Sequence, residues 1–117
     1  MNVLFIVNDA PYGTEKAYNA FRLAMALQKE HDEVVVWIFL MADAITCALP
    51  GQKTPDGYYN IERMLKSLNR KGALIKACGT CADARGLREL TLIEGVELST
   101  MSQLAQWTAS ADKVLTF

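Results

Sequence analysis

"VVVWIFLM", residues 34 to 41, runs for eight residues without a polar side chain. A strand with one wet face alternates apolar and polar residues, whereas a strand covered on both faces reads as one continuous apolar run. With Ala42 the run reaches nine residues, about half of the ~18 needed to cross a bilayer. The stretch therefore reads as the central strand of a parallel sheet that helices cover on both sides.

Working outward, Asn2 to Val7 is a second apolar, β-branched run. It stops at "NDAPYG", where Asn, Asp, Pro and Gly each favour a turn for a separate steric reason. From Thr14 to Glu30, Ala17, Ala20, Phe21, Ala24 and Leu27 recur at spacings of three and four, which predicts an amphipathic helix with Thr14 as its N-cap. Downstream, a short helix is expected over Asp43 to Leu49, and "PGQKTPDG" (50–57) then breaks all periodicity as the longest flexible loop. Ile61, Met64, Leu65 and Leu68 mark the next helix, and Gly72 ends it at the position a helix stop favours. A strand over Ala73 to Ala77 follows. Leu87 to Glu97 reads as a short helix or irregular segment, Thr100 to Ser110 as a helix capped by Ser99 or Thr100, and Lys113 to Phe117 as a last short strand. Strands alternating with helices predict parallel pairing through right-handed crossovers.

A chain of 117 residues has room for one domain, 1–117, which buries roughly two-thirds of its unfolded surface. It is 51% apolar, and 12 basic residues nearly balance 13 acidic ones. That balance points away from nucleic acid and membrane surfaces as partners. The N-terminal stretch lacks a basic n-region and an A-x-A-like cleavage site, so a cytoplasmic location is expected. Three cysteines make no disulfide framework, and thiols are expected there.

Two of these cysteines lie in "ALIKACGTCADARG" (73–86), at the point where a strand gives way to a polar segment. In open parallel sheets, ligands bind beyond the carboxyl ends of the strands, which is where Cys78 is placed. Thr80 is expected to cap a helix starting at Cys81, with Asp83 completing a capping box. Lys76 and Arg85 are expected to add positive charge around Cys78. A thiol of pKa ~8.5 is about 3% ionised at neutral pH, and lowering it by ~1.5 units, an electrostatic preference of about 2 kcal/mol, leaves about half as thiolate.

Other readings of the cysteines remain open. A thioredoxin-like dithiol matches the local C-x-x-C, although Pro11, Pro50 and Pro55 all precede Cys78 and none can face it from later in the chain. A structural zinc site needs four ligands, and only Cys47 and His31 remain as partners, unpaired in sequence. Free cysteines are also often buried as small hydrophobes, the favoured reading for Cys47. Cys81 is either a resolving partner or a core residue. "GTEKAYN" (13–19) lacks the spacing of a phosphate-binding loop. His31 is expected to interact with helix C-terminal carbonyls. Trp37 and Trp107 read as core or interface residues.

The segments "APYGTE", "RLAMALQ", "FLMADA", "LPGQK", "GYYNIERML", "CGTCADARG", "LIEGVE" and "LAQWTASADKVLTF" cover nearly the whole chain in order. In them the sequence resembles the DsrE/DsrF-like superfamily, and within it the small bacterial YchN-like proteins. The resemblance implies a three-layer α/β/α sandwich around a five-stranded parallel sheet, and trimers that pair into hexamers. It also implies sulfur chemistry, with a persulfide carried on the cysteine that corresponds to Cys78. Catalytic roles are then expected for Cys78, Cys81 and Arg85, and binding roles for Gly79, Thr80, Asp9, Tyr12, Gln52 and Lys53. The expected function is a persulfide carrier in a sulfur relay, with no metal or cofactor, whose partners are sulfur donor and acceptor proteins or small thiols. The alternatives are an oligomeric binding or assembly protein with structural cysteines, and a Cys78–Cys81 dithiol redox protein.

Overall fold

The computed structural model describes residues 1–55 and 59–117. The strands are β1 (Asn2–Val7), β2 (Val35–Leu40), β3 (Leu74–Cys78), β4 (Val96–Ser99) and β5 (Lys113–Thr116). They form one parallel sheet in the order β4-β3-β2-β1-β5. The helices are α1 (Lys16–Glu30), α2 (Ile61–Arg70), α3 (Gly79–Ala84) and α4 (Met101–Ser110), and a 3-10 helix spans Ala42–Ala48. The chain has the five-stranded α/β fold that the resemblance implied.

Side chains alternate across a strand, so each strand supplies both faces. Val3, Phe5 and Val7 of β1 and Val36, Ile38 and Leu40 of β2 pack with Ala17, Ala20, Phe21 and Ala24 of α1 and Leu65 and Leu68 of α2. The opposite face carries Leu4, Phe39 and Cys78, covered by Leu104 and Trp107 of α4. Trp37 and Trp107 stack with ring centroids 5.2 Å apart. Trp107 is a core side chain and Trp37 a partly buried one packed against it; β2 is covered on both faces towards its carboxyl end, at Ile38, Phe39 and Leu40, while its first residue, Val35, stays exposed.

Several local expectations are corrected. Thr14 lies one residue ahead of the N-cap position, which Glu15 occupies without a capping side-chain bond; the Thr14 hydroxyl still accepts from the Lys16 N–H at 3.3 Å. Val96–Ser99 is a strand, whereas residues 87–95 are irregular. Val96, Glu97, Leu98 and Ser99 alternate apolar and polar residues as a strand with one wet face does, but only over four positions after Gly95, too short a signal to stand out; pairing with β3 fixes it as a strand. The expected Asp43–Leu49 helix is the 3-10 helix, one residue earlier. The Asp56 and Gly57 end of the "PGQKTPDG" loop lies outside the described residues. At the end of α2, Gly72 adopts a φ of 99°, the left-handed conformation a glycine stop supplies. His31 is the C-cap residue of α1, but its ring Nδ1 faces the Glu33 carboxylate at 3.3 Å rather than the helix carbonyls.

Candidate thiol site at the carboxyl edge of the sheet

β3 ends on Cys78, which is also the N-cap residue of α3, with φ −65° and ψ 113°. Its own Sγ is the capping group and accepts the Cys81 N–H at 3.1 Å. This corrects the expected Thr80–Asp83 capping box, because the helix starts two residues earlier than the polar residues suggest. Thr80 sits within the first turn with its Oγ1 3.3 Å from Cys78 Sγ. Asp83 is engaged by the Arg88 guanidinium, which holds its carboxyl below the usual carboxylate range.

Cys78 and Cys81 are joined in a disulfide, with Cα atoms 5.2 Å apart. One helical turn brings the two side chains within the ~4.4–6.8 Å that a disulfide spans. Three free thiols are therefore replaced by one pair and one free cysteine, Cys47. Cys78 is 6% exposed, walled by Leu4, Phe39, Leu104 and Trp107, while Cys81 is half-buried. Since bonded sulfurs carry no proton, the Thr80 hydroxyl is the donor in its contact with Cys78.

A second backbone donor reaches the pair from the next strand. β2 runs into the 3-10 helix through Ala42, whose φ is 50°, and the Ala42 N–H donates to Cys81 Sγ at 3.2 Å. Nothing in the sequence signals this contact, because an alanine announces neither a left-handed backbone nor the direction of its amide. Asp43 is a second residue that sequence reasoning missed. It takes Arg85 Nε at 2.9 Å and Nη2 at 2.8 Å, while Arg85 Nη1 donates to the Cys81 carbonyl at 3.1 Å.

The expectation that Lys76 and Arg85 lend positive charge to Cys78 is corrected accordingly. Arg85 is committed to Asp43 and the Cys81 carbonyl. Lys76 lies 3.5 Å from Glu97 and above the Trp107 ring. Among the described residues, the hydrogen-bonding groups that reach Cys78 Sγ are the Cys81 N–H and the Thr80 hydroxyl. Gly79 has a packing reason: a Cβ there would lie 2.8 Å from Arg88 Nη2 and 3.1 Å from the Ser99 carbonyl.

The remaining expected site residues gather around the ends of β1 and the 3-10 helix. Asp9 accepts from the Thr14 hydroxyl at 2.8 Å and lies 4.0 Å from Lys16 Nζ. Tyr12, with a φ of 71°, accepts the Ile61 N–H on its hydroxyl at 3.0 Å. Gln52 donates to the Thr46 and Leu49 carbonyls. Lys53 is exposed. Asp9, Tyr12 and Gln52 thus hold loops in place. A groove of about 590 Å³ between α1 and α2, lined by Tyr18, Arg22, Met25, Tyr59, Arg63 and Met64 among others, has no cysteine in its lining.

A parallel α/β protein with a cysteine pair at a strand end is the class that fold and site together define. The chain belongs to the DsrE/DsrF-like family, whose model it matches over residues 1–117. It is 49% identical to protein YchN of Escherichia coli over 98% of this chain and 97% of that one. It is also 42% identical to an uncharacterized protein of Methanopyrus kandleri over 98% and 93%. The crystal structure of the E. coli YchN protein superposes with a TM-score of 0.95 at 48% identity, covering 100% of this chain and 99% of that one. A protein of unknown function from Methanobacterium thermoautotrophicum shares the fold, with a TM-score of 0.79 at 13% identity over 99% and 98%. Among the described residues, no helix is long and apolar enough to cross a membrane.

Proposed function

We propose that the protein carries sulfane sulfur on Cys78 in its reduced form, as a sulfurtransferase-like member of a cytoplasmic sulfur relay. The observation that supports this most is the set of donors at that sulfur, the Cys81 N–H and the Thr80 hydroxyl. Hydrogen bonds donated to a sulfur favour its charged form, and the thiolate is the nucleophile. Cys78 thiolate attacks the outer sulfur of a donor persulfide R–S–SH, the S–S bond of the donor breaks, and R–S⁻ leaves. Cys78 then holds –S–SH, which an acceptor thiolate attacks at the same outer sulfur. Donors and acceptors are partner proteins or small thiols, and no resident metal or cofactor takes part. Gly79 leaves room for the Ser99 carbonyl and Arg88, Thr80 donates, and Arg85 positions Cys81, while Asp9, Tyr12 and Gln52 hold the neighbouring loops and exposed Lys53 is left to meet a partner.

Incubating the reduced protein with a persulfidated donor and recording intact mass under short exposure tests the reading. Capture of about 32 Da by wild type or by Cys81→Ser, and none by Cys78→Ser, is expected. Equal loading of all three variants overturns it.

The Cys78–Cys81 bond favours a second reading, a dithiol that exchanges with other disulfides and carries no extra sulfur. Its signature is a reversible loss of about 2 Da with no loaded form in Cys81→Ser. For assembly, the exposed Val35, Leu74 and Val114 belong to the same sheet face as Leu4 and Phe39, by register. Burying them against further copies supports the trimer or hexamer, and light scattering of Leu74→Asp against wild type tests it.

A further inference from the structure

We infer that Cys81 discharges the loaded Cys78, converting its sulfane sulfur to hydrosulfide without any acceptor protein. This rests on the persulfide reading above and adds the fate of the sulfur. In the loaded state Cys78 is –Sγ–SH and Cys81 is a thiol one helical turn away, with Cα atoms 5.2 Å apart. Cys81 thiolate attacks Cys78 Sγ, the inner sulfur; the Sγ–Sγ bond forms, the Sγ–SH bond breaks, and HS⁻ leaves with the electron pair. The cysteines are oxidised to the disulfide as the sulfane sulfur is reduced to sulfide, so atoms and electrons balance. The product is the Cys78–Cys81 bond that the structure holds.

Two contacts prepare Cys81 for this step. The Ala42 N–H donates to its Sγ at 3.2 Å, so a charge on that sulfur meets a fixed donor. Arg85 grips the Cys81 carbonyl and, through Asp43, ties α3 to the 3-10 helix that supplies the Ala42 amide. Attack on the inner sulfur is also favoured by the leaving group, because hydrosulfide departs more readily than an alkyl thiolate. A dithiol reductant resets the pair by attacking Cys81 Sγ. Residue Cys81 is half-buried, whereas Cys78 is 6% exposed, and Cys78 leaves as the thiolate that Cys81 N–H and Thr80 already face. The reductant's second thiol resolves the mixed disulfide, so one dithiol is consumed for each sulfide released.

The test uses the full chain, reduced and freed of reductant, mixed with one equivalent of cysteine persulfide prepared free of sulfide. Wild type is expected to release about one equivalent of sulfide and to end about 2 Da lighter. Cys81→Ser and Cys81→Ala are expected to stay about 32 Da heavier and to release none. Wild type that stays loaded and releases no sulfide overturns the discharge step and leaves the carrier reading standing. Loading of neither wild type nor the Cys81 variants overturns the carrier reading, and the discharge step with it. The wild-type arm decides whether sulfide leaves, and a loaded form in either Cys81 variant separates discharge of a persulfide from plain dithiol exchange, which would leave those variants without the added ~32 Da.

Discussion

Cys47 and the Cys78–Cys81 pair lie near the same edge of the sheet, yet the hydrogen bonds at their sulfurs run in opposite directions. Cys47, in the 3-10 helix and 1% exposed, donates its S–H to the Asp9 carbonyl at 3.7 Å. That bond requires the proton. Burial, reinforced by the Asp9 charge, pushes the thiol up to about 12. At Cys78 and Cys81 the sulfurs accept, from the Cys81 and Ala42 amides, which a thiolate does better than a thiol. Burial alone does not separate the two, because Cys78 is nearly as enclosed as Cys47. The direction of the polar contacts does.

The largest effect expected from this contrast is kinetic. With a pKa near 12, Cys47 exposes about one thiolate in 10⁴ at pH 8, against about one in ten for an ordinary thiol of pKa 9.0. In the reduced protein, iodoacetamide should therefore modify Cys81 at least about 10³-fold faster than Cys47. Peptide mapping after timed quenching measures both rates, and comparable rates would remove the distinction between the two regions.

The same thiol makes stability depend on pH. Its folded pKa lies above the unfolded value of 9.0, so its contribution is complete below pH 9 and is lost as pH rises towards 12. The loss runs at up to about 1.4 kcal/mol per pH unit and totals about 4 kcal/mol. Urea unfolding between pH 9 and 10.5 should show a steeper decline in wild type than in Cys47→Ala. Parallel declines would mean that Cys47 titrates in the folded protein much as it does in the unfolded chain.

What was legible in advance follows the same division between side chains and backbone. The unbroken apolar run around Trp37 and the three-and-four spacing from Ala17 to Leu27 report burial directly, so the parallel sheet and its main helices could be read from them. The placement of Cys78 at a strand end followed from that frame. The donors at the sulfurs could not be read, because they are main-chain amides whose aim depends on φ values such as the 50° of Ala42. Lys76 and Arg85 misled for the complementary reason. Sequence proximity to Cys78 says nothing of the carboxylates of Glu97 and Asp43, which come from other elements and take up both charges.

Gly79 offers a way to disturb the pair without touching sulfur. In Gly79→Ala the new Cβ meets the Ser99 carbonyl at 3.1 Å and Arg88 Nη2 at 2.8 Å. Arg88 can swing aside, but the carbonyl belongs to the end of β4 and yields less. The better helix propensity of alanine, ~0.5–1 kcal/mol, offsets part of an overpacking cost of ~1–3 kcal/mol. A net loss of about 1 kcal/mol in chemical denaturation is expected, with Cys47 alkylation unaffected. An increase in stability would show that β4 has room to move.

The smallest effect concerns the link between the regions. Arg85 bridges the 3-10 helix that bears Cys47 and the α3 that bears Cys81, through Asp43 on one side and the Cys81 carbonyl on the other. Both charges are partly solvated, with the Asp43 side chain 68% exposed, so screening keeps the ion pair weak. Arg85→Gln should cost about 0.5–1 kcal/mol at low ionic strength, and less in molar salt, because the charge is lost while a donor for the Cys81 carbonyl is kept. Denaturation midpoints of wild type and variant at the two salt levels measure the difference. A loss that salt leaves undiminished would mean that the fit of the Arg85 side chain between Asp43 and α3, and not its charge, couples the two elements. The contrast between the two cysteine regions would then depend on the backbone of α3 being held in place more than on the charge that spans them.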